Sequence, residues 1–166
     1  MFKAILAILI AFSLILTVSQ TANAETIKHR AYVVARAQLG DPYEYGAEGP
    51  DAFDCSGLMW FSYKHAGHPI RRTTHDQYYR SSFAIAASDR HRGDLVFFLS
   101  SGSIRHVGTY AGSGYMIHAN SGHYYGRKVI RERIAGYWSE HYGVRYRSVK
   151  GATATASGAA PLRRRG

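Results

Sequence analysis

The order of its periodicities limits this chain more than any other feature. Helical spacing fills the front, strand alternation fills the back, and the links between strand-like stretches are short. "TIKHRAYVVARAQLG" opens at Thr26, a residue type that caps helices, and places apolar or small side chains at 27, 31, 34 and 35 before Gly40 and Pro42 stop it. A loop rich in Gly, Pro and Asp follows, "DPYEYGAEGPDAF". A second helix is expected from Cys55 to about Ala66, with Asp54 as its N-cap and Gly67 just past its end. "TTHDQYYRS" suggests a short helix capped by Thr73 or Thr74. Five strand-like stretches come next, at 94–99, 106–111, 114–120, 127–133 and 143–149. Helices first and strands after, with short links, predict an α+β fold: a helix layer packed on an antiparallel sheet.

Both ends depart from that pattern. Lys3 precedes an apolar run from Ala4 to Val18, then polar Ser19, Gln20 and Thr21, then Ala22-Asn23-Ala24. This is the layout of a secretory signal peptide, so residues 1–24 are expected to be removed on export. The run is shorter than the roughly 20 residues of a membrane span, so no stable membrane insertion is expected afterwards. "GATATASGAAPLRRRG", residues 151–166, reads as a flexible basic tail. Residues 25–150 are left as one domain, expected to be monomeric. The formal net charge of +10 favours anionic partners such as cell-wall polymers, and export argues against nucleic acid.

Cys55 is the single cysteine, so no internal disulfide exists. It falls in the first turn of the second predicted helix, where unpaired N–H groups and the helix dipole favour thiolate over thiol. Gly57 allows another backbone to approach closely. Small buried hydrophobe is the other local reading of Cys55, and nearby residues do not separate the two. A nucleophilic thiol needs a base, and the base needs an orienting partner. Of the 9 histidines, His106 opens one predicted strand and His118 sits late in the next. If residues 112–114 form a three-residue loop or carry a bulge, Gly108 faces His118, and His106, His118 and Asn120 share one sheet face. A plain two-residue turn would put the histidines on opposite faces. The other histidines lack metal-ligand spacing, there is no HExxH, and no metal or cofactor is expected.

Several stretches together resemble the NlpC/P60 family of bacterial cell-wall cysteine peptidases: "LGDPYEYGA", "FDCSGLMWFSYKHAG", "RRTTHDQ", "RGDLVFFL", "RHVGTYAGSGYMIHAN" and "YWSEHYGVRYRSV". They run in family order from about residue 31 to 149. The resemblance implies a papain-like core of N-terminal helices on a five- to six-stranded antiparallel sheet. It implies Cys55 as nucleophile, His106 as base and His118 as the orienting residue, with Asn120 a weaker alternative for that last role. It also implies that Tyr43 supports the oxyanion and that Asp54 and Ser56 hold the amino side of the peptide. The implied substrate is a peptidoglycan stem peptide, cut between D-glutamate and the diamino acid. A silent wall-binding module, or a Cys-His hydrolase or acyltransferase acting on another amide or ester, is the alternative. Ile70-Arg71-Arg72 and Arg92-Gly93-Asp94 depart from the family pattern and, with Arg105, are expected to make the surroundings more basic. Arg92-Gly93-Asp94 is expected to be a turn and not an adhesion motif.

Overall fold

The computed structural model describes residues 26–153; the expected signal peptide and residues 154–166 lie outside them. Two helices lead, α1 (Ile27–Ala37) and α2 (Cys55–His65). Thr26 Oγ1 accepts the His29 N–H at 3.3 Å, and Asp54 accepts the Gly57 N–H at 2.6 Å. Each cap satisfies one of the amides that a helix start leaves unpaired. Thr73, not Thr74, caps the short α3 (Thr74–Asp76), which runs into a π-helical turn at Gln77–Ser81.

The sheet holds β1 (Ser82–Ala84), β2 (Leu95–Ser100), β3 (Ser103–Gly112), β4 (Tyr115–Asn120), β5 (Lys128–Arg133) and β6 (Gly143–Val149), with α4 (Tyr137–His141) between the last two. All neighbours are antiparallel, in the order β1-β6-β2-β3-β4-β5. Five strands lie where the alternation predicts. β1 and α4 are additions, both too short to carry a periodic signal.

Alternation sorts the strand side chains into two clusters. Leu95, Phe97, Val107 and Ile117 pack with Val34, Leu58 and Met59 of the two long helices. Val96, Phe98, Tyr110 and Met116 form a second cluster with Ile134 and with Trp138 of α4. The helix layer expected from the sequence packs on one face of the sheet, and α4 with its Trp138 covers the other.

Two contacts secure the start of the domain. Asp94, fully buried, accepts Lys28 Nζ at 3.0 and 3.1 Å and the His91 N–H at 2.7 Å. The tripeptide Arg92-Gly93-Asp94 is thus an anchoring turn whose acid is spent inside the protein. The Lys28 N–H donates to Ala152 O at 3.1 Å, and Ala152 is buried. Composition alone put residues 151–153 in the tail; Ala152 instead closes the start of α1.

Asp94→Ala would leave the Lys28 ammonium, itself only 12% exposed, without its partner. A loss of about 3–5 kcal/mol in unfolding free energy is expected from urea titration. A loss below about 1 kcal/mol would mean that Lys28 reaches water and the pair is not buried in effect.

Candidate active site

The site is built outward from the start of α2. One oxygen of Asp54 accepts the Gly57 N–H at 2.6 Å and the Ser56 hydroxyl at 3.2 Å. The other accepts the Gly46 N–H at 3.0 Å and Arg72 Nη2 at 2.8 Å. Arg72 also donates to Ser56 Oγ at 2.8 Å, to Glu48 at 2.9 Å, and to the carbonyls of Gly46 and Ala47. Burial pushes the Asp54 carboxyl up, but the Arg72 bond and the amide and hydroxyl donors hold it below the ordinary range. A Cβ on Gly57 would lie 2.1 Å from Ala47 O, so glycine is what lets this loop close on the helix. One expectation changes. Arg72 adds no free basic charge, because Asp54 and Glu48 neutralise it. Asp54 and Ser56 are buried and bonded mainly to each other and to the surrounding loop, a framework beside the thiol.

Cys55 Sγ lies 3.9 Å from Thr74 Oγ1, and the thiol also meets the backbone N–H groups of Val107 and Ser56. Val107 follows His106, so the thiol borders the strand that carries the histidine. Burial pushes the Cys55 thiol above its ordinary value, and the Asp54 charge adds to this; the three donors only partly offset them. The field at the helix start was expected to favour thiolate, but Asp54 occupies that same end and burial disfavours the charge. Tyr43 shares the neighbourhood: burial raises its phenol, and the charges of Cys55 and Asp54 raise it further. The Arg127 guanidinium sits 5.2 Å from the centre of its ring.

Two irregularities in β3 aim the histidines. Phe98 pairs with His106 and Leu99 with Ile104, which makes Arg105 an extra residue. Tyr110 pairs with Met116 and Gly112 with Tyr115, which makes Ala111 another. The sequence requires a three-residue loop or a bulge at 112–114; the bulge occurs one residue earlier and keeps the required register. A Cβ on Gly108 would lie 3.1 Å from His118 Cβ, so this glycine makes room for the ring. His106 Nε2 and His118 Nδ1 are 2.8 Å apart, both rings buried. Asn120, the alternative partner for His106, instead donates to the carbonyls of Gly122 and Gly126 and shapes the loop after β4.

Two site residues escaped the sequence reading. His118 Nε2 lies 2.9 Å from Glu132 Oε2, which also accepts Trp138 Nε1–H at 2.8 Å. The Trp138 ring stacks on His106, 4.8 Å between centres and 18° from parallel. A signal for Glu132 exists: it is the lone acid in "RKVIRER", two residues from Ile130, which pairs with His118. Burial pushes Glu132 up, but the bonds from His118 and Trp138 bring it below the usual carboxylate value. An ionised carboxylate only accepts, so His118 Nε2 carries its proton and His118 Nδ1 accepts from His106 Nε2–H. His106 Nδ1 is then the basic nitrogen. Among the described residues, no three or more His, Cys, Asp or Glu side chains are grouped to hold a metal ion.

Burial lowers the pKa of His106, and the charge of His118 lowers it further; burial also lowers His118, against the pull of Glu132. Unfolded imidazole titrates near 6.5. The stability contributed by these two neutral rings is therefore complete above about 6.5 and is lost as pH falls toward their lower folded values. The urea midpoint is expected to fall between pH 7 and pH 5, and to fall less in His106→Gln. An identical fall in that variant would place the titration elsewhere.

The chain matches the NlpC/P60 family over residues 40–147. It is 38% identical over 129 residues to a protein from Corynebacterium glutamicum named a probable endopeptidase, covering 77% of this chain and 58% of that one. It is 37% identical over 111 residues to the murein DD-endopeptidase MepH of Escherichia coli, covering 63% of this chain and 40% of that one. Among solved structures, NlpC1 from Trichomonas vaginalis superposes with a TM-score of 0.66 at 30% identity, covering 74% of this chain and 44% of the other. The chain thus spans well under two thirds of these relatives. With most of its length matched in sequence and its helices and sheet shared with solved members, the chain belongs to the NlpC/P60 family.

Proposed function

We propose that this chain is an exported cysteine endopeptidase that hydrolyses peptidoglycan stem peptides, with Cys55, His106 and His118 as its catalytic groups. The observation that carries the reading is the buried 2.8 Å bond between His106 Nε2 and His118 Nδ1, on the strand that borders the only thiol. That bond leaves His106 Nδ1 as the base. As Cys55 sulfur attacks the amide carbon, its proton moves to His106 Nδ1, so neither a lone thiolate nor a lone imidazolium has to persist in a buried site. The Cys55 N–H and the Tyr43 hydroxyl stabilise the oxyanion. His106 then protonates the leaving amine, and a water deprotonated by the same nitrogen cleaves the thioester. Glu132 holds His118 in the tautomer that this chain of bonds needs.

The bond proposed is that between D-glutamate and the diamino acid. A second reading, cleavage of a D,D cross-link, is favoured by the name of the Escherichia coli relative, a murein DD-endopeptidase. A silent wall-binding module is disfavoured because neither the thiol nor the histidine pair is lost.

Purified murein and free stem peptides, digested with the chain from residue 25 onward, distinguish these readings by mass spectrometry. Products ending in D-glutamate, absent with Cys55→Ala, are expected. Release of uncrosslinked muropeptides alone would select the D,D reading, and no cleavage by folded protein would overturn the peptidase. Because burial holds His106 below 6.5, kcat/KM is expected to persist below pH 6.5 and to fall only at lower pH. Glu132→Gln is expected to lower kcat by about 10- to 100-fold and to move that acid limb to still lower pH, because the carboxylate favouring imidazolium is gone. A change in melting temperature with unaltered kcat would make Glu132 a purely structural group.

A further inference from the structure

A cavity of about 580 Å³ opens on the outer flank of β5, lined by Lys128, Arg131, Arg133, Tyr115, Tyr125 and Tyr137 among others. Its one acid, Glu132, is bound by His118 and Trp138. Among the described residues, the three cations make no ion pair with a carboxylate. The Arg131 guanidinium lies 3.6 Å from the centre of the Tyr115 ring and that of Arg133 5.4 Å, which holds both fanned over one aromatic platform. Tyr125 and Tyr137 wall the groove, 53% and 56% exposed.

The backbone here is open as well. β5 is the last strand of the sheet. The Val129 N–H donates to Asp41 O and Val129 O accepts the Gly40 N–H, so alternate residues of β5 turn their backbone groups away from β4. Arg131 and Arg133 continue that alternation, and no backbone bond covers their outer side among the described residues. An uncovered strand edge is a template for an extended peptide. Side chains two residues apart on a strand are about 7 Å apart. Two guanidiniums at that spacing match carboxylates on alternate residues of such a peptide.

We propose that this groove is a second, non-reacting subsite that takes an extended, carboxylate-bearing peptide arm, a neighbouring stem peptide of the same wall. The arm adds to the β5 edge through its backbone, and its carboxylates meet Arg131, Arg133 and Lys128. The proposal rests on the peptidase reading for its source of peptide. It deepens that reading by making a cross-linked pair of stem peptides a better ligand than a single one.

The test uses Cys55→Ala protein, which binds without cutting, with and without Arg131→Glu and Arg133→Glu. The probes are a cross-linked muropeptide dimer and the same dimer with its carboxylates amidated. The double charge reversal is expected to weaken binding of the acidic dimer about tenfold and to abolish the preference for acid over amide. In the active enzyme the same reversal is expected to raise KM for the dimer about tenfold at unchanged kcat, with a single short stem peptide unaffected. Both side chains are exposed, so an unchanged melting temperature serves as the folding control. Equal binding of acid and amide by the unreversed groove, or indifference to the reversal, would overturn the proposal. So would tighter binding of polyphosphate or anionic vesicles at equal charge. Binding as expected by the Cys55→Ala protein, with no cleavage of murein or stem peptides by the folded protein that keeps Cys55, would instead sink the peptidase and leave the groove standing.

Discussion

The carboxylate of Asp54 is the point on which the site hangs. Four donors converge on it, from the first turn of α2, from Ser56, from the loop at Gly46 and from Arg72. A buried carboxylate without donors would protonate or draw in water; with four it stays charged and fixed. It joins three segments: the loop before α2, α2 itself and the approach to α3. Cys55 follows it directly, so the sulfur inherits that rigidity. The loop it secures begins near Tyr43, and the segment after Arg72 brings Thr74 to the thiol. Removing the thiol would leave this scaffold intact, whereas removing Asp54 would leave a guanidinium and a helix start without their acceptor.

The second constraint is the register of β3. A strand shows alternate residues to opposite faces, so one extra residue reverses every later side chain. The two bulges at Arg105 and Ala111 sit on either side of the run that carries His106 and Gly108. Between them the strand presents Val107 to the helix side and His106 to the side covered by Trp138. The histidine pair thus packs against Trp138 of the smaller cluster. This arrangement explains why α4 matters despite its length. Trp138 fills the space over His106, excludes water and spends its N–H on the carboxylate that holds His118.

The features that sequence made legible are those carried by local rules. Thr26 and Asp54 cap because of their side-chain chemistry, and both do so. Strand alternation located five strands, and the histidine spacing demanded an irregularity near 112 that β3 supplies one residue earlier. What was hidden depends on contacts between distant segments. Arg72 reads as surplus charge until the fold closes it on Asp54 and Glu48. Glu132 reads as one acid among exposed arginines until β5 pairs with β4. Trp138 reads as packing, which it is, without revealing which ring it packs on. Ala152 reads as tail because its small side chain contributes little hydrophobic signal, yet its carbonyl meets the first turn of α1. Even the thiol was misread in one respect: the helix-end field that favours thiolate is a local rule, and burial together with Asp54 outweighs it.

That last balance shapes the chemistry of the site. The chain carries a formal charge of +10, but the candidate catalytic groups sit where isolated charge is disfavoured: the thiol is pushed up, the two imidazoles are pushed down, and Glu132 alone among the four holds its charge. A resting ion pair at Cys55 would have to overcome the desolvation of both partners and the nearby Asp54. In the proposed relay the His106 and His118 protons already point toward their next acceptors, which avoids that cost. In the proposed reaction charge appears only as the sulfur bonds to carbon, with the Cys55 N–H and Tyr43 proposed to receive it on the substrate oxygen. The formal charge of +10 acts on a different scale, over a distance set by ionic strength.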